Sequence, residues 1–396
     1  MRASVASLSL RGLLLSLLSL VLVALGDVLN QPLRTVPADP LRFRAYNLIQ
    51  YYVTYQDHGF VRRGLPGSLV ALLSPDPSHL TLYAASAAVV ACLVLLYWFF
   101  VTSSLATRGT PRSRTLLALV FLVSPATFWQ VGFDMGRYDA VNVILLLASL
   151  LLIERKRFVV AGGLMAVSVL VHEASFFMFL PVALAAAMGK SRPGLPGRSK
   201  EEGPDDVDNV PLLAVALPAL AALAAVMLLG DYEPGREALE AALARTHSPP
   251  GEHCALCVWT RGLGHNVRIV ARELGEPDVV PGLMAALAYF GVFCQFYFRF
   301  HALNGLRRDA LTWSPFAVAL LFVVGVDFER WLAAAVTSMT IVMCYKMRGR
   351  RMETIEGVVP SRSNVLPALL LVSGVLGPLG VSRAFPLIVK LWKLVF

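Results

Sequence analysis

Residues 154–192 read ERKRFVVAGGLMAVSVLVHEASFFMFLPVALAAAMGKSR. Between the basic flanks Arg155-Lys156-Arg157 and Lys190-Ser191-Arg192 lie the 31 residues Phe158–Met188, whose one charge is Glu173. A bilayer takes about 20 apolar residues to cross, or about 17 at the short end. Positive flanks mark the cytoplasmic side, so a segment with two such flanks crosses twice. His172-Glu173 then sits at the outer apex of a helical hairpin. Leu311–Tyr345 repeats the pattern between Arg307-Arg308 and Lys346–Arg351, with Asp327-Phe328-Glu329-Arg330 at its apex.

The rest of the chain agrees with a membrane solvent. Its 396 residues are 57% hydrophobic and 15% charged, with a mean hydropathy of +0.65. Soluble domains carry about 25% charged residues, so a water-soluble globule, a disordered chain and a disulfide-stapled mini-protein are excluded. The pattern predicts an all-α, polytopic protein with about 11 transmembrane helices. The spans are Leu13–Val28, Leu80–Val101, Leu116–Val131, Ala140–Ile153, Phe158–Val171, Ala174–Met188, Val210–Leu229, Val279–Phe298, Leu311–Val326, Trp331–Tyr345 and Val365–Val381. Arg2 and Arg11 before a Leu-rich run resemble a secretory signal, but Ala24-Leu25-Gly26 is a weak cleavage site, so the first helix reads as retained. The short apolar stretch Leu65–Leu73 suits a re-entrant or interfacial helix.

Three regions follow: an N-terminal membrane half (1–188, with the outer loop 29–79), a polar, Pro- and Gly-containing cytoplasmic linker (189–209), and a C-terminal half (210–396, with the outer loop 230–278). With the N-terminus inside, the cytoplasmic segments hold 20 of the 35 Lys and Arg residues. The net charge of +9 is thus largely an orientation signal rather than a sign of nucleic acid. The expected location is a bacterial cytoplasmic (inner) membrane.

Polar residues gather on the outer side in four clusters: Tyr55–Gly64, Asp134–Asp139, His172-Glu173 and Asp327–Arg330. A charge inside the membrane costs about 2.5–3.5 kcal/mol on the insertion scale, so these groups face a shared aqueous cavity or one another. In the first case Arg62, Arg63, Arg137 and Arg330 clamp a phosphate-bearing lipid, because a guanidinium matches phosphate oxygens two at a time. Asp139 and Asp327 belong to the same substrate-binding set. Asp57, Asp134, His172 and Glu173 are then candidate bases, tuned by burial and by neighbouring Arg. In the second case the same charges pair as a structural network holding helices in register.

At these residues the chain resembles bacterial EpsG-like and Wzy-type polysaccharide polymerases. LVHEASFFMFLP is similar to their H-x-S motif, with the spacing here H-x-x-S. Asp134–Arg137, Asp327–Arg330 and Gly59–Gly64 are similar to their outer-loop motifs. The resemblance implies a membrane glycosyltransferase acting at the outer leaflet on polyprenyl-diphosphate-linked oligosaccharides, in exopolysaccharide or O-antigen assembly. A GT-C-type transferase with a polyprenyl-phosphate monosaccharide donor and Asp39 or Asp57 as base is the related alternative. A transporter or flippase of lipid-linked sugars is the non-enzymatic one. Implied partners are the lipid-linked sugar, membrane lipids and other polysaccharide-assembly proteins.

No cofactor and no bound metal is expected. Neither a phosphate loop, an H-E-x-x-H helix nor a nucleophile elbow occurs in the sequence. Cys254 and Cys257 form the one close Cys pair. A local disulfide leads there, with unrelated thiols or zinc helped by His247, His253 and His265 left open. Cys92, Cys294 and Cys344 suit apolar spans as small hydrophobes.

Reporter fusions at positions 173 and 329 are expected to report one side of the membrane, and fusions at 156 and 347 the other. A fusion at 173 that reads with 156 would remove the hairpin.

Overall fold

The computed structural model describes residues 2–30, 47, 49–105, 111–191, 209–246, 259, 263–275, 279–323, 325, 327–348, 365–380 and 385. Asp39, most of the 189–209 linker, His247, His253, Cys254 and Cys257 lie outside them. The regular elements among the described residues are all helices, joined by turns and loops, with no strand.

Among the described residues, five helices are long and apolar enough to cross a membrane: Leu10–Val28, His79–Leu105, Arg114–Phe133, Val210–Leu229 and Gly282–Leu303. The other expected spans take shorter or broken forms. Phe158–Val171 is a helix of 14 residues, about 21 Å long. The next span splits at Phe179 into Ser175–Met178 and Leu180–Ser191. Ala310–Trp313 runs into a 3-10 helix, Ser314–Val323, with Pro315 at its second position. Of the five long spans, Arg114–Phe133 is itself interrupted: helix Pro111–Val123 stops before Ser124-Pro125 and resumes as Phe128–Phe133, because proline removes a ladder donor and clashes with the preceding turn. About 11 spans were expected, some of them short, and Phe158–Val171 has the bounds expected of it. Among the described residues, five helices long enough to cross are combined with shorter apolar ones. Gly64–Ala71 forms the short helix expected after the first outer cluster.

Helix Phe328–Arg348 is the centre of the bundle, with 18 of its 21 residues buried. An ordinary amphipathic helix hides one stripe; this one is covered all round, which explains why Glu329 and Arg330 near its start are interior residues.

Polar contacts sort to the two ends of the helices. At one end Arg348 meets Glu154 at 3.0 Å and Ser103 at 2.6 Å. Beside it Lys346 meets Asp309 at 2.7 Å and Thr312 at 2.6 Å. At the other end lie Arg63, Arg137, Asp139, His172 and Arg330. The segments expected to share a side therefore meet in space. Helix Asp139–Glu154, 16 residues, joins the two ends over about 24 Å, less than the roughly 30 Å hydrocarbon core. A charged layer at its start is therefore recessed below the membrane surface when Glu154 sits at the opposite one.

Close backbone approach fixes these short helices. A Cβ added to Gly162 would lie 2.1 Å from the Ala214 carbonyl oxygen of helix Val210–Leu229, whereas one added to neighbouring Gly163 would meet nothing within 4 Å. Small residues let membrane helices pack at this range. Gly162→Ala is therefore expected to lower the unfolding temperature in detergent, at a cost of about 1–3 kcal/mol. Gly163→Ala should be neutral or slightly stabilising, by up to about 1 kcal/mol. Equal effects of the two would refute the close packing.

Candidate functional site

The charged layer is built around Arg330, in the first turn of the central helix and 5% exposed. Its Nη2 donates to Asp139 Oδ1 at 2.7 Å, and its Nε donates to Asp139 Oδ2. Nη1 donates to Asp327 at 2.8 Å, and Nη2 reaches His172 Nε2 at 3.0 Å. Asp327 also accepts from Arg137 Nη1 at 3.0 Å. Two arginines and two aspartates from two segments thus form one chain of charge-assisted bonds, which are stronger than neutral ones.

Arg63 reaches the layer from the first loop. Its guanidinium grips Glu173 in two-pronged fashion, with Nε 2.9 Å from Oε2 and Nη2 on Oε1. Arg63 itself has φ +58, a left-handed backbone that is uncommon for a residue with a side chain. The ion pair and the following helix Gly64–Ala71 hold it there.

The loop Asp134–Tyr138 is held by polar side chains that the sequence reading passed over. Asn47 Nδ2 donates to the Met135 carbonyl at 2.8 Å, and Gln50 Nε2 donates to the Gly136 carbonyl at 2.8 Å. Tyr138 donates to the Gln50 carbonyl at 2.9 Å. Gln130 Nε2 donates to Asp134 Oδ2 at 2.5 Å. Each is an amide or hydroxyl inside an apolar neighbourhood, where an unpaired polar group is costly; that cost was the signal available in the sequence.

The ten sequence-derived residues separate into three positions. Asp134, Arg137, Asp139 and Arg330 line a cleft. Arg63, His172, Glu173 and Asp327 stand beside it in the ionic network. Asp57 and Arg62 lie outside both. Asp57 exchanges bonds with Thr54 as a local helix cap. Arg62 pairs with Asp231, donates its backbone N–H to the Gly230 carbonyl at 2.8 Å, and accepts at its own carbonyl from Trp259 Nε1 at 2.8 Å. It ties the first loop to the second. Glu329 is fully buried, neither carboxylate oxygen has a hydrogen-bond partner, and it does not line the cleft.

The cleft has about 830 Å³ of space including its open mouth. Its charged end continues into an apolar slot formed by Val90, Leu93, Val143, Phe179, Ala333 and Ala334, with Tyr97 and Thr337 deeper in. From Arg330 to Thr337 the slot follows the central helix for about 10 Å.

The electrostatics separate His172, Glu173 and Asp134 among the candidate bases, and Asp327 beside them. Burial pushes His172 down to about 3, with Arg63 and Arg330 adding to it. Both its ring nitrogens face N–H donors, Arg330 at one and the Ala174 amide at 3.1 Å from the other, which disfavours the doubly protonated ring. Burial alone would raise Glu173, but Arg63 and His172 more than offset it and hold the carboxyl well below the usual range. Asp327 is lowered in the same way, burial being outweighed by Arg137 and Arg330. Asp134 goes the other way: burial raises it, and Arg137, 3.7 Å from its carboxylate, with Arg330 offsets only part. Four carboxylates, Asp134, Asp139, Glu173 and Asp327, face three guanidiniums, Arg63, Arg137 and Arg330, and the uncompensated charge falls at Asp134. Among the described residues no group of three or more His, Cys, Asp or Glu is placed to hold a metal.

The chain matches the family described as "Uncharacterised membrane protein Rv1490" over residues 21–244, more than half its length, and it belongs to that family. Asp134, Arg137, Asp139, His172 and Glu173 fall inside the matched stretch, and Asp327 and Arg330 beyond it. No curated protein and no solved structure matches the chain.

A raised carboxyl destabilises the fold wherever it is forced to ionise. Asp134 unfolded titrates near 3.9, so the penalty is absent below about pH 4 and develops as pH rises through the folded value. Asp134→Asn, which keeps a neutral side chain, should raise the unfolding temperature at pH 7 and lose that advantage near pH 4. Destabilisation at both pH values would show the carboxylate to be well compensated.

Proposed function

We propose that this Rv1490-family protein is a membrane transferase that works from one face on a lipid-linked, phosphate-bearing sugar, in the assembly of cell-surface polysaccharide. The observation that carries this reading is the cleft, which joins an ionic end to an apolar slot running down into the bundle. That is the shape and polarity of a lipid with a charged head. Pockets for amphipathic ligands combine an apolar lining with a few convergent polar groups, and this one has both.

Asp134 is the base in this scheme. General-base work near neutral pH favours a carboxyl raised from its ordinary value, and Asp134 is raised whereas Glu173 and Asp327 are lowered. Asp134 takes the proton of an acceptor hydroxyl, whose oxygen attacks the anomeric carbon. The bond from that carbon to the phosphate oxygen breaks, and the lipid phosphate leaves with the electron pair. Arg137 and Arg330 stabilise that leaving charge, and Asp139 and Asp327 hold the two guanidiniums in place at no cost of reorganisation during reaction. His172 and Glu173 position Arg330 and Arg63.

The charge balance bears on the donor. Each guanidinium of the layer already has a carboxylate partner. That supports a donor with one phosphodiester charge over the diphosphate donor implied by the polymerase resemblance. A transporter would need polar groups along the mid-depth of several helices. The slot below Arg330 is instead mainly Val, Leu, Phe and Ala.

Transfer of radiolabelled sugar in proteoliposomes, from polyprenyl-phosphate monosaccharides and from polyprenyl-diphosphate oligosaccharides in parallel, tests the reading. Asp134→Asn is expected to cut transfer by about 100-fold or more, while lipid-phosphate binding followed by native mass spectrometry stays within a few-fold. Undiminished transfer by Asp134→Asn, or wild-type protein that binds neither lipid, would overturn it.

A further inference from the structure

Gln130 joins the candidate base to a distant part of the chain. Its Nε2 donates both to Asp134 Oδ2 at 2.5 Å and to the Gly380 carbonyl at 2.9 Å, while its Oε1 accepts from the Gly380 N–H at 2.9 Å. The side chain is 5% exposed. Both amide protons are committed, and the oxygen has one defined donor. Rotating the amide by half a turn would set its oxygen against two other oxygens and its NH2 against an N–H, so the orientation is determined by these three contacts.

Gly380 belongs to the segment after helix Val365–Ser373, past the turn at Gly377. That segment is docked as well as hydrogen-bonded. The Leu379 N–H donates to the Pro125 carbonyl at 3.2 Å, in the helix break that proline imposes, and Leu379 is fully buried. The Phe385 N–H donates to the Leu379 carbonyl at 2.8 Å. Gly380 has φ +99, a conformation glycine adopts without strain, and in it both backbone polar groups turn to the one amide. A residue 250 positions away thereby decides which way the Gln130 amide points, and so whether Asp134 receives its donor.

We propose that Gln130 is a positioning residue through which the C-terminal segment at Leu379-Gly380 sets the protonation and orientation of Asp134, so that docking of this segment completes the site. A hydrogen bond donated to a carboxylate favours its charged form. With the segment docked, Asp134 is a carboxylate aimed into the cleft more of the time. With it undocked, Gln130 is released and Asp134 retains its proton. The catalytic meaning of this coupling rests on the transferase reading; the coupling itself does not, and it is measured without turnover.

The experiment is a pH titration of the Asp134 carboxylic-acid C=O stretch by difference infrared spectroscopy on the full-length protein in nanodiscs, with the band assigned by its loss in Asp134→Asn. Gln130→Met, similar in volume and lacking both donor and acceptor, is expected to move the midpoint upward by roughly tenfold in proton affinity. Gly380→Ala, which puts a Cβ on a left-handed backbone, should move it in the same direction. The double variant should move it no further than Gln130→Met alone, because the second change acts through the first. Additive shifts, or no shift in Gln130→Met, would overturn the proposal. If Gln130→Met does not fold, Gln130→Asn, one methylene too short to span both partners, provides the same test. Should the shifts occur while no sugar transfer is found, the transferase reading fails and the coupling stands.

Discussion

Arg330, only 5% exposed, meets Asp139, Asp327 and His172 at the wall of the cleft. Breaking a buried ion pair on one side costs about 3–5 kcal/mol, because the other charge is left uncompensated. The start of the central helix, the start of helix Asp139–Glu154 and the turn after helix Phe158–Val171 are therefore bound to one another through a single guanidinium. The cleft exists because these segments converge there without filling the space below: Ala333 and Ala334, one turn further along the helix, are small, and the gap they leave becomes the apolar slot.

The same layer shows what a low dielectric does to a set of charges that do not quite cancel. Pairing lowers Glu173 and Asp327, whereas burial, only partly offset by Arg137 and Arg330, raises Asp134. A purely structural network would gain by omitting that carboxyl, as buried charges without partners are expensive. Asp134 lies on the wall of an open cleft, beside Arg137 and Arg330. Arg62 and Asp231 instead join two loops and do not line that cleft.

Much of this site was legible because charge is scarce in the sequence. With 15% charged residues, the clusters at Asp134–Asp139, His172-Glu173 and Asp327–Arg330 stood apart from apolar surroundings, and the structure joins all three. Asp57 and Arg62 were read into the same group on sidedness alone, which fixes a face of the membrane and not a distance across it. Gln130, Asn47 and Gln50 were missed because a neutral amide adds nothing to a charge pattern. His172 drew attention by its residue type; burial and the neighbouring Arg63 and Arg330, which lower its pKa, were not visible in the sequence.

Hydropathy in the sequence was sufficient to indicate an all-α, multi-pass membrane chain, since that follows from the cost of moving a residue out of water. Helix lengths departed from the expected spans where proline and tight packing intervene, as at Ser124-Pro125 and in the 3-10 stretch Ser314–Val323. Which acid pairs with which base, which carboxyl is left over, and that Gly380 reaches Gln130 were decided by tertiary structure alone. Those are distances of about 3 Å between residues up to 250 positions apart, and pairing at that range depends on how helices cross, which no local pattern records.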